Sequence, residues 1–439
     1  MQGRFEKTAQ YIIEAICMVR SFKRDVLVTG FALFAMFFGA GNLIFPPFLG
    51  WSCGTNWIAG IACFIIVDVG LSLLVLFVLA DKGRGAQGIT EDLGPKASAL
   101  VLSANVICIG PLIAIPRTAA TTFELAVLPL YPAASSWIFS IIYFALVILL
   151  CLRQTKAMDI IGALLAPVLF VGLLVLIGKG VASPLGAVTT SSSLSAAAKE
   201  GILSGYQTMD MMAAVVFASA LIVTIAAKGY KEPGEQFKII AGAGLISGAA
   251  LLTVYGGLAY LGATMCARTG LLDRATLLIT ITRGLLGENG IALLGVVVAF
   301  ACLTTAIGLV SSAASYFADA FNNRLSYRWL VVLFSVLSCV LSNMGLGGII
   351  AFAAPILDLL YPILLVVSLL GLFHRRIKNR MVCILPTAAA FIVSLAALAE
   401  KTLNVDLYVR LLPLSSLGLA WTVPALIFGA AGAVLFNRK

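Results

Sequence analysis

Twelve apolar runs follow one another along nearly the whole chain: residues 26–50, 56–80, 97–127, 136–152, 158–178, 201–226, 237–265, 288–321, 329–342, 347–373, 381–399 and 413–436. A helix needs about 20 apolar residues to cross the hydrocarbon core of a bilayer. Inside lipid every backbone polar group must be satisfied within the protein, so continuous apolar runs of this length read as helices. Of the 439 residues 61% are hydrophobic and only 11% are charged, against about 25% charged in a soluble domain. A water-soluble fold built from these residues would lack the polar surface to stay in solution. The chain is expected to be an all-α polytopic membrane protein with about 12 transmembrane helices, integral and multi-pass, in contact with membrane lipid. The length leaves no room for a large soluble domain.

The scarce charges carry information about orientation. With the N-terminus placed inside, cytoplasmic segments hold 21 Lys and Arg and outside segments hold 7. That bias predicts cytoplasmic N- and C-termini and an even number of spans. It also accounts for the net charge of +10 without invoking nucleic acid. Trp51, Trp57, Trp137 and Trp329 fall near span ends, where an interfacial belt would put them. Residues 1–24 read as a cytoplasmic lead-in, and the Ser-, Thr- and Ala-rich stretch 181–200 as an outside connecting loop.

Composition also narrows the chemistry. The single histidine, His374, lies beside Arg375 and Arg376, which argues against a multi-histidine metal site or proton relay. The nine cysteines form no CxxC pair and read as small buried hydrophobes. No HExxH or GxxxxGK[ST] pattern occurs, so these signatures of a membrane enzyme are missing. No multi-residue selectivity-filter motif marks a channel. No cofactor and no obligate protein partner is expected.

Two spans are interrupted by residues that fit poorly in a continuous apolar helix. The first holds Phe38-Gly39-Ala40-Gly41-Asn42 followed by Pro46-Pro47, and the sixth holds Gly205-Tyr206-Gln207-Thr208-Met209-Asp210. Glycines lower helix stability. An unwound stretch would free N–H groups at the start of a half-helix, suited to a carboxylate, and carbonyls at the end of the preceding half, suited to a cation or ammonium. Paired interrupted spans are the strongest sequence pointer to a transporter binding site. Two other readings stand beside this one: a glycine-mediated helix contact in the first span, and an interfacial position for the second polar stretch.

Four further features carry polar chemistry. Thr304 and Thr305 could offer oxygen ligands to a small cation, or bond back to their own helix. Arg117 lies inside a span, with Glu124 seven residues on and on roughly the same helical face. That pair reads as a structural or gating ion pair, with substrate contact as the second option. Asp68 and Asp358, also inside spans, could titrate in a proton-coupled cycle or serve as buried partners.

The stretch GFALFAMFFGAGNLIFPP at 30–47 resembles the signature of the branched-chain amino acid:cation symporters, the BrnQ type or LIV-II carriers. GPLIAIPRTAATTFE at 110–124, GYQTMD at 205–210, ACLTTAIGL at 301–309 and GLAW at 418–421 agree with it in order. The resemblance covers the chain from about residue 25. It implies a LeuT-like architecture: a first five-helix repeat at 25–180, an inverted second at 201–373, two additional helices in 374–439, and discontinuous spans 1 and 6. It further implies sodium-coupled import of leucine, isoleucine and valine across a bacterial-type inner membrane. On this basis the amides of Gly39, Ala40 and Gly41 would hold the substrate carboxylate. Carbonyls near Ala35 and Phe38 would form a sodium site with the Ala301 carbonyl and the Thr304 and Thr305 hydroxyls. Asn42 and Thr208 would serve a second cation site or the substrate, and Tyr206 to Asp210 would line the other side. Gln207, Asp68 and Asp358 depart from the family pattern, and a carboxamide at 207 suggests a more polar amino acid. Proton coupling through Asp68, Asp210 or Asp358 stays open as the alternative to sodium.

Overall fold

The computed structural model describes residues 22–436 apart from 83–84, 154–156, 190–191, 268–272, 323, 378 and 404. The expected lead-in lies, up to residue 21, outside the described residues. Each of the twelve apolar runs contains a helix. In chain order the helices are α1 (Phe22–Phe37), α2 (Ala40–Cys53), α3 (Trp57–Lys82) and α4 (Pro95–Val127). They continue with α5 (Ser136–Arg153), α6 (Ala157–Ala182), α7 (Leu194–Thr208) and α8 (Asp210–Ala227). Next come α9 (Pro233–Ala263), α10 (Arg274–Ala320), α11 (Tyr327–Ser342), α12 (Gly345–Gly371), α13 (Met381–Leu403) and α14 (Thr422–Phe436). Among the described residues seven helices are long and apolar enough to cross a membrane, with α7 and α8 taken as one, and the bent pair α1–α2 makes an eighth. Four shorter apolar helices fall in α5, α6, α11 and α14.

Both expected interruptions are breaks in the structure, with different geometry. Between α1 and α2 the axis turns by 73°. Gly39 there is extended (φ −103°, ψ −171°) and leads directly into α2. Between α7 and α8 a single residue, Met209, takes a left-handed conformation (φ 66°, ψ 16°), which costs a side-chain-bearing residue of order 1–3 kcal/mol. The surrounding helices hold both breaks in place by close backbone contact. A Cβ added at Gly50 of α2 would stand 1.8 Å from the Ala259 carbonyl of α9, and one at Gly262 would stand 1.8 Å from the Pro47 carbonyl. A Cβ at Gly201 of α7 would stand 2.2 Å from the Gly60 carbonyl of α3. Small residues at helix contacts are how membrane helices approach closely.

Three π turns interrupt the helices nearest the breaks: Ile66–Gly70 in α3, and Cys108–Leu112 and Phe123–Val127 in α4. Such turns recur at functional positions because they re-aim side chains and leave carbonyls without helical partners.

Some expected boundaries are corrected. The eighth span begins earlier, at Arg274, where Asp273 caps it by accepting from Thr276 N at 2.9 Å. It breaks at Gly287 (φ 69°), so Arg274 and Arg283 stand on a helix instead of in a loop. The connecting loop is shorter than the expected 181–200, because the Ser193 side chain caps α7 by accepting from Ala196 N at 3.2 Å. The last span starts at Thr422, not 413: Pro413 cannot donate a helical bond, and Leu414 and Gly418 are left-handed, so 3₁₀ turns occupy Val409–Leu411 and Ser415–Leu417.

Candidate functional site

The two breaks meet, and the polar side chains of six helices converge on them. Asn42, in the first turn of α2, donates its amide to Asp210 Oδ2 at 2.7 Å, to the Phe37 carbonyl at 2.8 Å and to the Tyr255 hydroxyl of α9. Thr208, the last residue of α7, donates to Asp68 Oδ1 and to the Gly205 carbonyl at 2.7 Å. Asp68 sits in the π turn of α3 and is fully buried; Asp210 is 6% exposed and opens α8. A carboxylate in the first turn of a helix meets the positive end of its dipole. The cluster thus pins the start of α2 to the start of α8 through one amide, and the end of α7 to α3 through one hydroxyl.

Arg117 approaches the same point from α4. Its guanidinium donates from Nη1 to the Gln207 carbonyl and from Nη2 to the Thr208 carbonyl at 3.0 Å. These carbonyls are freed by the break at Met209. Arg117 is 4% exposed, and the guanidinium lies against Gly41, where a Cβ would come within 2.9 Å of Nη2. The expected Arg117–Glu124 pair does not form. Glu124 Oε1 instead accepts from Leu346 N at 2.8 Å, at the N-terminus of α12. The i, i+7 relation assumes an uninterrupted α-helix, and Glu124 lies in the π turn Phe123–Val127.

Between the breaks lies a cavity of about 40 Å³. Its polar lining comes from Asn42, Arg117, Thr118, Thr208, Asp210 and Thr305, and its apolar lining includes Met36, Ile109, Phe217 and Leu309. Gly39 and Ala40, at the start of α2, also border it. The volume suffices for a few water molecules, so a molecule of amino-acid size enters only if the surrounding helices move. A separate vestibule of about 660 Å³ is bordered by Glu124, Asp273, Arg283 and Asn343.

Residues 22–439 match the family described as branched-chain amino acid transport protein. The chain belongs to this family. A Bacillus subtilis member, the branched-chain amino acid permease BraB, is 34% identical over 94% of this chain and 95% of its own length. A Staphylococcus haemolyticus protein bearing the name of a branched-chain amino acid carrier is 36% identical over 94% of this chain and 98% of its own length. Family and relatives are transport proteins, not enzymes. Among solved structures, the nucleobase-cation-symport-1 family transporter Mhp1, closed with bromovinylhydantoin bound, aligns with a TM-score of 0.63 at 15% identity. That alignment covers 94% of this chain and 93% of Mhp1. A Na⁺-coupled sialic acid symporter aligns at 0.62 and 12%, covering 94% and 90%. The family member described here accordingly has the LeuT-type fold.

The remaining expected site residues of this family member divide into three groups. Thr305 borders the cavity, with its methyl 4.0 Å from where a Gly39 Cβ would be. Thr304 and Thr305 both donate to the Ala301 carbonyl at 2.9 Å, the back-bonded arrangement. Ala35 and Phe38 lie at the end of α1 beside the break, with Phe38 buried and stacked between Phe34 and Tyr255 at centroid distances of 5.3 and 6.1 Å. Tyr206 stacks on Tyr361 at 4.4 Å, away from the cavity lining. Gln207 offers its backbone carbonyl to Arg117, while its side-chain Oε1 is buried without a partner. Asp358 does not join the cluster; its carboxylate lies 4.0 Å from Lys401 Nζ of α13.

Sequence reasoning missed Tyr255, whose hydroxyl completes the acid cluster; a phenol in the middle of an apolar run was the available signal. It also missed Arg274, whose guanidinium lies 4.2 Å from the Phe48 ring centroid and 5.2 Å from that of Phe45. Phe45 has Arg117 at 5.9 Å as well.

Proposed function

We propose that this family member imports branched-chain amino acids by symport with sodium, by alternating access around the cavity between the two helix breaks. The observation that carries this reading is the composition of that cavity. Charged and amide groups from α2, α4 and α8 share it with Met36, Ile109, Phe217 and Leu309, a combination suited to an α-amino acid with an aliphatic side chain. The first N–H groups of α2, at Ala40 and Gly41, have no acceptor within their own helix and favour a carboxylate. Carbonyls at the end of α1, near Ala35 and Phe38, would hold sodium together with the Ala301 carbonyl and the Thr304 and Thr305 hydroxyls. This requires the two hydroxyls to turn from the bonds they make now.

The Lys and Arg bias supports cytoplasmic termini and an even number of crossings, and membership of the family supports a bacterial-type inner membrane and two five-helix repeats. In that orientation the vestibule beside Glu124 and Asp273 opens to the outside. Substrate would descend from it, and rocking of α1–α2 with α7–α8 would close that route and open the inner one.

A second reading, proton coupling, is favoured by one observation. Asp68 and Asp210, both buried, meet in one cluster with Asn42, Thr208 and Tyr255, and a carboxyl in such a place can carry a proton across the cycle.

Leucine uptake into liposomes holding the purified protein separates the two. Sodium coupling predicts accumulation under an inward sodium gradient that disappears when potassium replaces sodium. Uptake that persists without sodium and follows the pH gradient would move coupling to the aspartates. No uptake of leucine, isoleucine or valine under either gradient would overturn the substrate.

A further inference from the structure

We propose that Arg117 is the receptor for the substrate carboxylate and makes recognition depend on an anionic group at that position. This rests on the amino-acid reading above and adds a residue to it.

Three observations converge. First, Arg117 is a buried cation whose hydrogen bonds go only to neutral groups. Its two bonds go to the Gln207 and Thr208 carbonyls. No carboxylate among the described residues lies within 4.0 Å of it, for the nearby acids are engaged with Asn42 and Thr208. Asp210 and Asp68 act on it only across the cluster, without contact, so no carboxylate occupies the guanidinium's own hydrogen-bonding edge. Second, the guanidinium has hydrogen-bonding capacity left over. Of its five N–H groups two are used, and Nε is buried with no partner. Carboxylates are recognised by adjacent guanidinium N–H groups acting as a fork. Third, the group is aimed at the cavity and lies against the first turn of α2. Gly41 gives it room: a Cβ there would fall 2.9, 3.2 and 3.4 Å from three guanidinium atoms. The free amides of that turn and its dipole favour the same anion. A carboxylate at this point would therefore touch α2 directly and α7 through Arg117, joining both broken helices in one contact. An uncharged isostere would leave the guanidinium unpaired.

The test measures ligand-induced thermal stabilisation of the purified full chain by leucine and by leucinamide, in wild type and Arg117→Gln. The unfolding transition reports folding of the variant as well as binding. In wild type, leucine should act at concentrations at least ~30-fold below leucinamide, the size of effect that loss of a buried charge pair brings. In Arg117→Gln the leucine effect should weaken by a similar factor relative to that of leucinamide, so the preference disappears. A folded Arg117→Gln protein that keeps the full preference would overturn the proposal and leave Arg117 only a pin on the α7 carbonyls. Where Arg117→Gln gives no cooperative transition, Arg117→Lys is read in the same way. It keeps the charge but not the fork, and is expected to lose about tenfold of the preference; an undiminished preference contradicts the assignment. If wild type responds to other α-amino acids but not to leucine, isoleucine or valine, the substrate reading fails alone, and the same comparison is made with the active amino acid and its amide. Stabilisation by no amino acid at all overturns both.

Discussion

Two polar groups flank the break between α1 and α2, and their side chains are committed differently. On one side Asn42 bonds to Asp210 and Tyr255, and Thr208 to Asp68, across five helices and the α7–α8 break. On the other, facing Gly39, Thr304 and Thr305 bond back to Ala301 within their own helix. The first arrangement ties separate segments together, so losing a member leaves others buried and unsatisfied. The second can be released by rotating a side chain, at the cost of a bond that is worth about 0.5–1.5 kcal/mol net. The lesson is a division of labour: the acid cluster ties the breaks together, while in the proposed cycle the threonine pair would exchange a carbonyl for a cation.

The largest effect should come from the acid cluster. Asp210→Ala removes one acceptor of Asn42, the charged one, and leaves Asp68 beside an unfilled site. Breaking a buried charged network costs about 3–5 kcal/mol, so leucine uptake should be abolished and the thermal midpoint of the purified protein lowered. Unchanged stability would mean that the cluster does not hold the breaks. Gly41→Ala should have the next largest effect. Its Cβ, 2.9 Å from Arg117 Nη2, displaces the guanidinium, and leucine affinity should fall roughly tenfold, as for misplacement of one buried charged contact. Equal affinity would argue that Arg117 does not face the ligand.

Thr305→Ala tests the other side. Stability should stay within about 1 kcal/mol of wild type, since only an intrahelical bond is lost. The sodium concentration for half-maximal uptake should rise about tenfold, the equivalent of roughly 1.4 kcal/mol, and Thr305→Ser should largely restore it. A sodium dependence unaltered by Thr305→Ala would remove the cation from this position. The smallest effect is expected at Gln207. Gln207→Leu keeps the backbone carbonyl used by Arg117 and removes a buried, unpartnered oxygen, so leucine uptake should change by less than about threefold. A strong gain for leucine at the expense of a polar amino acid would instead make Gln207 a selectivity residue.

Much of this arrangement was legible in the sequence because apolar length dictates spans and polar residues inside them are rare. The Gly39-Ala40-Gly41-Asn42 interruption marked the first break directly. The second was legible only as a region. Gly205 is the obvious helix breaker there, yet it remains helical, because its missing Cβ makes room for Val67 of α3 at 2.8 Å. The break falls instead on Met209, whose left-handed conformation the side chain itself disfavours and the surrounding contacts impose. Arg117 was marked as functional by its position in a span, but its partner was not: Glu124 lies in the π turn Phe123–Val127, and the acceptors of Arg117 are backbone carbonyls, which no sequence pattern displays. Asp68 and Asp358 looked equivalent along the chain. Packing distinguishes them, placing Asp68 against Thr208 and Asp358 toward Lys401.

The account turns on where the substrate binds. Its most direct test is a structure of the protein determined with leucine and sodium. We expect the leucine to lie between the two breaks, in contact with the first turn of α2, Arg117 and the start of α8, in an enlarged form of the cavity that now measures about 40 Å³. Leucine confined to the vestibule beside Glu124 and Asp273, with the cavity between the breaks unchanged, would contradict it.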